Sequence, residues 1–205
     1  MQNRHTIAVW TVWVLWLFGS ASYAVAERQE LTLANGDRYD GEVVDGVLEG
    51  FGRYIWADGK RYEGNFSAGK RQGFGSLTWV NGDRYQGNFT DNRIQGEGVF
   101  LWANGDRYEG SFVANQRSGQ GVMRWQGGQR YEGQFEAGLM DGLGEYRWPD
   151  GTSYKGMFAL DRRSGLGVLI YPDASVFTGF FLEDRRHGMG VEQRNKSPLS
   201  LQRWR

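Results

Sequence analysis

The sequence predicts an all-β fold, a ribbon of stacked β-hairpins, and three observations carry that prediction. A block of 23 residues recurs seven times. Within each block aromatic residues and glycines alternate with period two. Every block is punctuated by Asn-Gly, Asp-Gly or a close variant. A fixed period of this length means one supersecondary unit per block. Period two means strands rather than helices, because side chains of a strand alternate between faces.

Composition narrows the classes. Glycine is 32 of 205 residues but proline only 3, and aromatics reach 15%, so this is a core-forming chain and not a disordered Pro/Gly tract. There is no cysteine, which excludes disulfides, thiolate nucleophiles and cysteine-based zinc sites. Lys+Arg and Asp+Glu are 24 each, so there is no whole-molecule attraction for nucleic acid. Electrostatic specificity must come from the arrangement of charge.

In chain order, residues 1–26 read as a secretory signal: a basic start (MQNRH), an apolar run and a small-residue ending (SASYAVA). The apolar run, 7–18, is shorter than the ~20 residues that span a bilayer, so cleavage between Ala26 and Glu27 is expected rather than an anchor. Residues 27–35 are expected to hold an N-terminal capping strand. The repeats fill 36–196, and 197–205 is left as a C-terminal tail.

Gly36, Gly59, Gly82, Gly105, Gly128 and Gly151 stand 23 apart, with Ala174 in the seventh place. Counting from each, position +3 is Tyr39, Tyr62, Tyr85, Tyr108, Tyr131, Tyr154 or Phe177. Position +5 is glycine throughout, and +7 is Val43 followed by six phenylalanines from Phe66 to Phe181. The second half alternates too: glycine at +16, a mostly apolar residue at +18, and Trp56, Trp79, Trp102, Trp125, Trp148 or Tyr171 at +20. Two strands of about six residues per unit follow, and with the leading strand about fifteen in all.

The turn between units sets the register. A two-residue turn would put each Trp opposite an Arg. A three-residue loop, a type I turn closed by a left-handed glycine, puts Trp and Tyr on one face, so the aromatic pattern selects it. Inside the unit, +10 holds only Gly, Asn or Asp, which marks a residue with positive φ. Glu192 and Arg194 replace apolar residues in the last unit, which reads as a polar terminal cap.

The stretch YEGNFSAGKRQGFG (62–75), and the string Tyr-x-Gly-x-Phe-x-x-Gly-x-x-x-Gly-x-Gly that it exemplifies, resembles the MORN (membrane occupation and recognition nexus) repeat. The resemblance spans about 36–196. It implies an elongated, single-layered antiparallel sheet of stacked hairpins and a scaffold role in protein–protein contact, often at membranes and sometimes with acidic phospholipids. It implies no catalysis. Asn or Asp at +10 departs from the family's loop glycine, and no second domain is expected beside the repeats.

No catalytic group, metal site or cofactor is expected. After cleavage only His187 remains as a histidine, the Gly-x-Gly pairs lack the Lys-Ser/Thr of a phosphate loop, and a carboxylate pair repeated in every unit is not an active site. Lys70, Arg71, Arg93, Arg117, Arg162, Arg163, Arg185 and Arg186 recur in the intra-unit loops, while Asp37, Asp58, Asp83, Asp106, Asp150 and Asp173 occupy the turns. Since one period is one hairpin, this predicts a basic edge opposite an acidic edge. The basic edge is the candidate anion- or partner-binding rail, for lipid headgroups, acidic glycans or a partner protein.

The leading expectation is therefore an exported, non-enzymatic scaffold at the cell envelope, periplasmic or secreted and peripheral to the membrane. It would bind a protein partner, with an anionic surface as a second contact; nucleic acid is not expected and self-association is left open. The competing expectation is a glycan- or choline-type ligand module, because aromatic hairpin repeats can form cation–π pockets.

Overall fold

The computed structural model describes residues 25–194 and 199–204. The expected export signal, 1–26, lies outside the described residues but for Val25 and Ala26. The strands are β1 (Glu27–Thr32), β2 (Arg38–Val44), β3 (Val47–Ile55), β4 (Arg61–Ser67), β5 (Lys70–Thr78), β6 (Arg84–Thr90), β7 (Arg93–Leu101) and β8 (Arg107–Val113). They continue as β9 (Gln116–Arg124), β10 (Arg130–Glu136), β11 (Leu139–Arg147), β12 (Ser153–Ala159), β13 (Arg162–Ile170), β14 (Val176–Leu182), β15 (Arg185–Gln193) and β16 (Ser200–Trp204). All pair in sequence order into one open antiparallel sheet.

The turns between units are the expected three-residue loops. Trp79 N–H donates to Asp83 O at 2.9 Å, Gly82 N–H donates to Trp79 O at 3.0 Å, and Gly82 has φ of 95°. Tyr85 is consequently opposite Leu77, with Trp79 two residues on and on the same face. Inside each unit the loop is a two-residue turn with both residues left-handed, as at Ala68 (φ 48°) and Gly69 (φ 75°). That is the type I′ hairpin, whose twist matches its strands. The sequence pattern marks only the second of these residues.

Strand lengths differ from expectation. The first strand of each hairpin has seven residues and the second nine, because the second bulges where the register shifts, as between Gly87 and Phe89 of β6. The presumed tail is also different: 200–204 forms a sixteenth strand on β15, and Trp204 meets Phe177 edge-on at 6.1 Å. Glu192 is not part of an exposed polar cap. It is buried beside Arg186 at 3.5 Å, beneath this last strand.

The core occupies one face. Glycines pair across the sheet in an unbroken row, illustrated by Gly75↔Gly87↔Gly98↔Gly110. Each unit's tyrosine lies over its own glycine pair, and the Tyr85 hydroxyl donates to Asn88 O at 3.1 Å. From Tyr62 to Tyr154 each tyrosine meets the Phe of its own unit and the Phe of the next edge-to-face, Tyr85 at 5.3 Å from Phe89 and 5.2 Å from Phe112, whereas Tyr39, whose own unit carries Val43, meets Phe66 of the next. The array is thus a herringbone of fully buried rings on a glycine track.

Side-chain hydrogen bonds stitch neighbouring units. Asn92 Oδ1 accepts from Arg71 N–H, Asn115 from Ile94, Asp161 from Met140 and Asp184 from Arg163, all at 2.8–2.9 Å. These are the residues that depart from the family's loop glycine, and the contact explains their presence: Asn and Asp tolerate positive φ and also accept a bond that glycine cannot. On the opposite edge Asp37, Asp83 and Asp106 accept from the backbone N–H of Ala57, Ala103 and Gln126, one turn further along.

Candidate binding surface

Above the buried Tyr–Phe row runs a second aromatic line. Trp56, Trp79, Trp102, Trp125, Trp148 and Tyr171, one in each of the first six units, are only half-buried and form the accessible upper layer of this face. The layer alternates with a period of two units, 46 residues. Where +12 is Leu48, Ile94 or Met140, +18 is the ring Tyr54, Phe100 or Tyr146. Where +12 is Arg71, Arg117 or Arg163, +18 is the slimmer Leu77, Met123 or Leu169.

The contacts show compensation. Phe100 stacks on Trp102 at 4.5 Å and faces Trp79 at 5.2 Å. In the alternate units the guanidinium takes the vacant space instead. Arg71 lies 5.7 Å from the Trp56 and Tyr62 ring centres and 5.3 Å from Phe89. Arg117 repeats this over Trp102, Tyr108 and Phe135, and Arg163 over Trp148, Tyr154 and Phe181.

The eight residues of the predicted basic rail therefore divide. Lys70, Arg93, Arg162 and Arg185 are exposed at the loop edge, Lys70 pairing with Asp91 at 2.8 Å and Arg162 with Glu183 at 3.6 Å. Arg71, Arg117, Arg163 and Arg186 are half-buried on the aromatic face. The reason is pleat parity. Arg71 is opposite Phe66, a core residue, so its neighbour Lys70 points to the other side. The same edge also carries Asp45, Asp91, Glu136, Asp161, Glu183 and Asp184, so it is mixed rather than uniformly basic. The turn aspartates are committed to the fold: Asp58, Asp150 and Asp173 accept from the N–H two residues on.

Burial shifts the titrating groups on this face. Desolvation raises Tyr62, Tyr108 and Tyr154 to about 12, and lowers Arg71 and Arg117 from their ordinary value. Between units 6 and 7 an open depression of ≈ 410 Å³ is lined by Trp148, Arg163, Leu169, Tyr171 and Arg186. Among the described residues no group of three or more His, Asp or Glu could hold a metal, and His187 lies exposed on β15. The opposite face carries exposed Leu143, Met157, Leu166 and Phe180 in its C-terminal part.

An open ribbon of repeated hairpins with one ring-lined face is the architecture of a repeat binding scaffold. The MORN repeat profile matches at 39–61, 62–84, 85–107, 108–130, 131–153, 154–176 and 177–196. The chain belongs to the MORN repeat family, whose general role is that of a repeat scaffold for protein or membrane contact. No curated protein matches its sequence.

Solved structures of similar shape include the TCP domain of Drosophila melanogaster SAS-4 (dCPAP) in complex with a proline-rich motif of Ana2 (dSTIL). It has a TM-score of 0.48 and 14% identity, covering 85% of this chain and 88% of that one. The TCP10 domain of Danio rerio CPAP has a TM-score of 0.29 at 12% identity, covering 85% and 94%. A catalytically inactive virginiamycin B lyase from Staphylococcus aureus has 0.21 at 10%, covering 88% and 75%.

Proposed function

We propose that this protein is an exported, non-enzymatic scaffold at the cell envelope that holds a partner protein along its aromatic face. The observation that carries the reading is the upper aromatic line: one half-buried ring in each of the first six units, above the fully buried Tyr–Phe row. Aromatic and arginine side chains are the groups that dominate binding energy at protein interfaces. The glycan or choline reading is less favoured, because Trp56, Trp102 and Trp148 are already faced by the chain's own Arg71, Arg117 and Arg163.

The test is capture from envelope extract by the mature protein and by a Trp79→Ser/Trp125→Ser variant with unchanged circular dichroism. Capture of one protein by the first and not by the second supports the reading; equal capture refutes it. N-terminal sequencing should begin at Glu27, and an intact Met1 would refute export. A secondary anionic contact would rest on the exposed Lys70, Arg93, Arg162 and Arg185. Their joint replacement by Ser should abolish sedimentation with anionic vesicles, and wild-type protein that ignores such vesicles at low salt removes this part.

A further inference from the structure

Two properties of the aromatic face, its pitch and its unbalanced charge, specify what kind of segment fits it, given the scaffold reading above on which this inference rests. The rings from Trp56 to Trp148 recur once per hairpin, two strands, or about 9.6 Å. A β-strand lying along the ribbon returns a side chain to the same face every ~6.6 Å. An α-helix does so at its seventh residue, ~10.5 Å, and drifts about 0.9 Å per unit. A polyproline II helix returns every third residue at ~9.3 Å and drifts only about 0.3 Å per unit. Over the four intervals between these five rings, the polyproline helix slips by about 1 Å and the α-helix by nearly 4 Å.

Charge supplies the second property. Arg163 has a carboxylate partner in Asp184 at 3.1 Å, and Arg186 has Glu192 at 3.5 Å. At the place of Asp184 the loop facing Arg71 offers Asn92 and the one facing Arg117 offers Gly138. Asp161 is near enough to act on Arg117 electrostatically but makes no ion pair with it. Nη2 of Arg71 donates to Asn92 O at 2.6 Å and Nε to Asn92 Oδ1, whereas Nη1 has no acceptor among the described residues. Nη1 of Arg117 reaches, among the described residues, only Met123 Sδ, at 3.7 Å. Among the described residues these two guanidinium groups are thus half-desolvated, ringed by aromatics and without an ion-pair partner. They are one two-unit period apart, four strands or about 19 Å, which is six residues of polyproline II.

We propose that the aromatic face is a docking groove for a proline-rich segment in the polyproline II conformation whose acidic residues are six positions apart, one carboxylate at Arg71 and the next at Arg117, with the intervening prolines against Trp79 and Trp102. Rigid, preformed polyproline loses little entropy on docking into aromatic-lined grooves, and a carboxylate that reaches these arginines forms charge-assisted bonds.

The experiment titrates the full mature protein with a synthetic peptide of Asp followed by five prolines, three times over. Controls are the same peptide with four prolines between acids, with Lys for Asp, and with Gly-Ser for proline. The six-residue spacing is expected to bind about tenfold or more tighter than each control, the range for a charged hydrogen bond. Arg71→Gln with Arg117→Gln should remove that advantage. Because these arginines also pack, the decisive variant is Asn92→Asp, which gives Arg71 the internal counter-ion that Asp184 gives Arg163. It should bind the acidic peptide about tenfold more weakly with undiminished stability. Equal binding of the five- and six-residue spacings, or an Asn92→Asp variant that binds as wild type, overturns the proposal. If the peptide is ignored while Trp79- and Trp125-dependent capture from extract persists, the ligand chemistry falls and the scaffold reading stands; if both fail, both fall.

Discussion

The glycine track makes a quantitative demand at Gly98. Its backbone is ordinary for a strand, so alanine there adds no dihedral strain. A Cβ would, however, stand 2.6 Å from Tyr85 Cζ, with Cε2 and Oη nearer still. Restoring normal contact requires the ring to lift by about 1 Å. Tyr85 is fully buried between the edges of Phe89 and Phe112, so it has nowhere to go without moving them. Overpacking of this kind costs about 1–3 kcal/mol. Loss of the hydroxyl bond to Asn88 O adds about 1 kcal/mol. Weakening the two edge-to-face contacts adds roughly another 1 kcal/mol. Gly98→Ala should therefore destabilise by about 3–5 kcal/mol, read as a drop of ~1–2 M in the urea midpoint followed by tryptophan fluorescence. Tyr85→Leu deletes the clashing atoms, so Gly98→Ala added to it should cost far less than alone, a coupling of about 1–3 kcal/mol. A cost below ~0.5 kcal/mol for the single variant, or additive behaviour in the cycle, would refute the ring-on-glycine argument.

Arg163→Ser should cost about 2 kcal/mol through lost stacking and charged hydrogen bonds, whereas exposed Arg162→Ser should be neutral within ~0.5 kcal/mol; equal urea midpoints would contradict the division of the basic loops. Leu160 is exposed yet held at φ 50°, so Leu160→Asn should stabilise by about 1 kcal/mol in the same assay, and a destabilised variant would contradict the type I′ assignment. Because burial raises Tyr62, Tyr108 and Tyr154 from 10.0 to about 12, their contribution is present below pH 10 and is lost as pH rises through about 12. Phenolate absorbance should then appear together with loss of circular dichroism between those values, and titration near pH 10 with structure intact would count against it. Deleting residues 82–127, one full two-unit period, should leave a more stable ribbon than deleting 82–104, which strips Trp79 of its Phe100 contact; identical melting temperatures would sink the 46-residue alternation.

The sequence by itself determined the unit, the hairpin, the three-residue turn and the Tyr–Phe face. All four follow from a 23-residue period, a period-two alternation and local turn chemistry, none of which needs knowledge of a distant contact. It also displayed the Arg/aliphatic exchange at +12, but not its meaning, which depends on Arg71 reaching a ring of the preceding unit and a loop carbonyl of the following one. Lys70 and Arg71 are chemically alike and adjacent. Only the bulge between Gly64 and Phe66 and the pairing of Arg71 with Phe66 decide that one meets water and the other the aromatic face. Ala68 and Leu160 carry no mark of positive φ, because the twist of the paired strands, not their own preference, places them there. The sixteenth strand has no repeat signature at all: it exists because β15 would otherwise end the sheet with an unpaired edge and an uncovered Phe177. A repeating sequence settles what each unit is. Which side chains satisfy one another across units is settled by the parity and bulges of the assembled sheet, since a shift of one residue exchanges its faces.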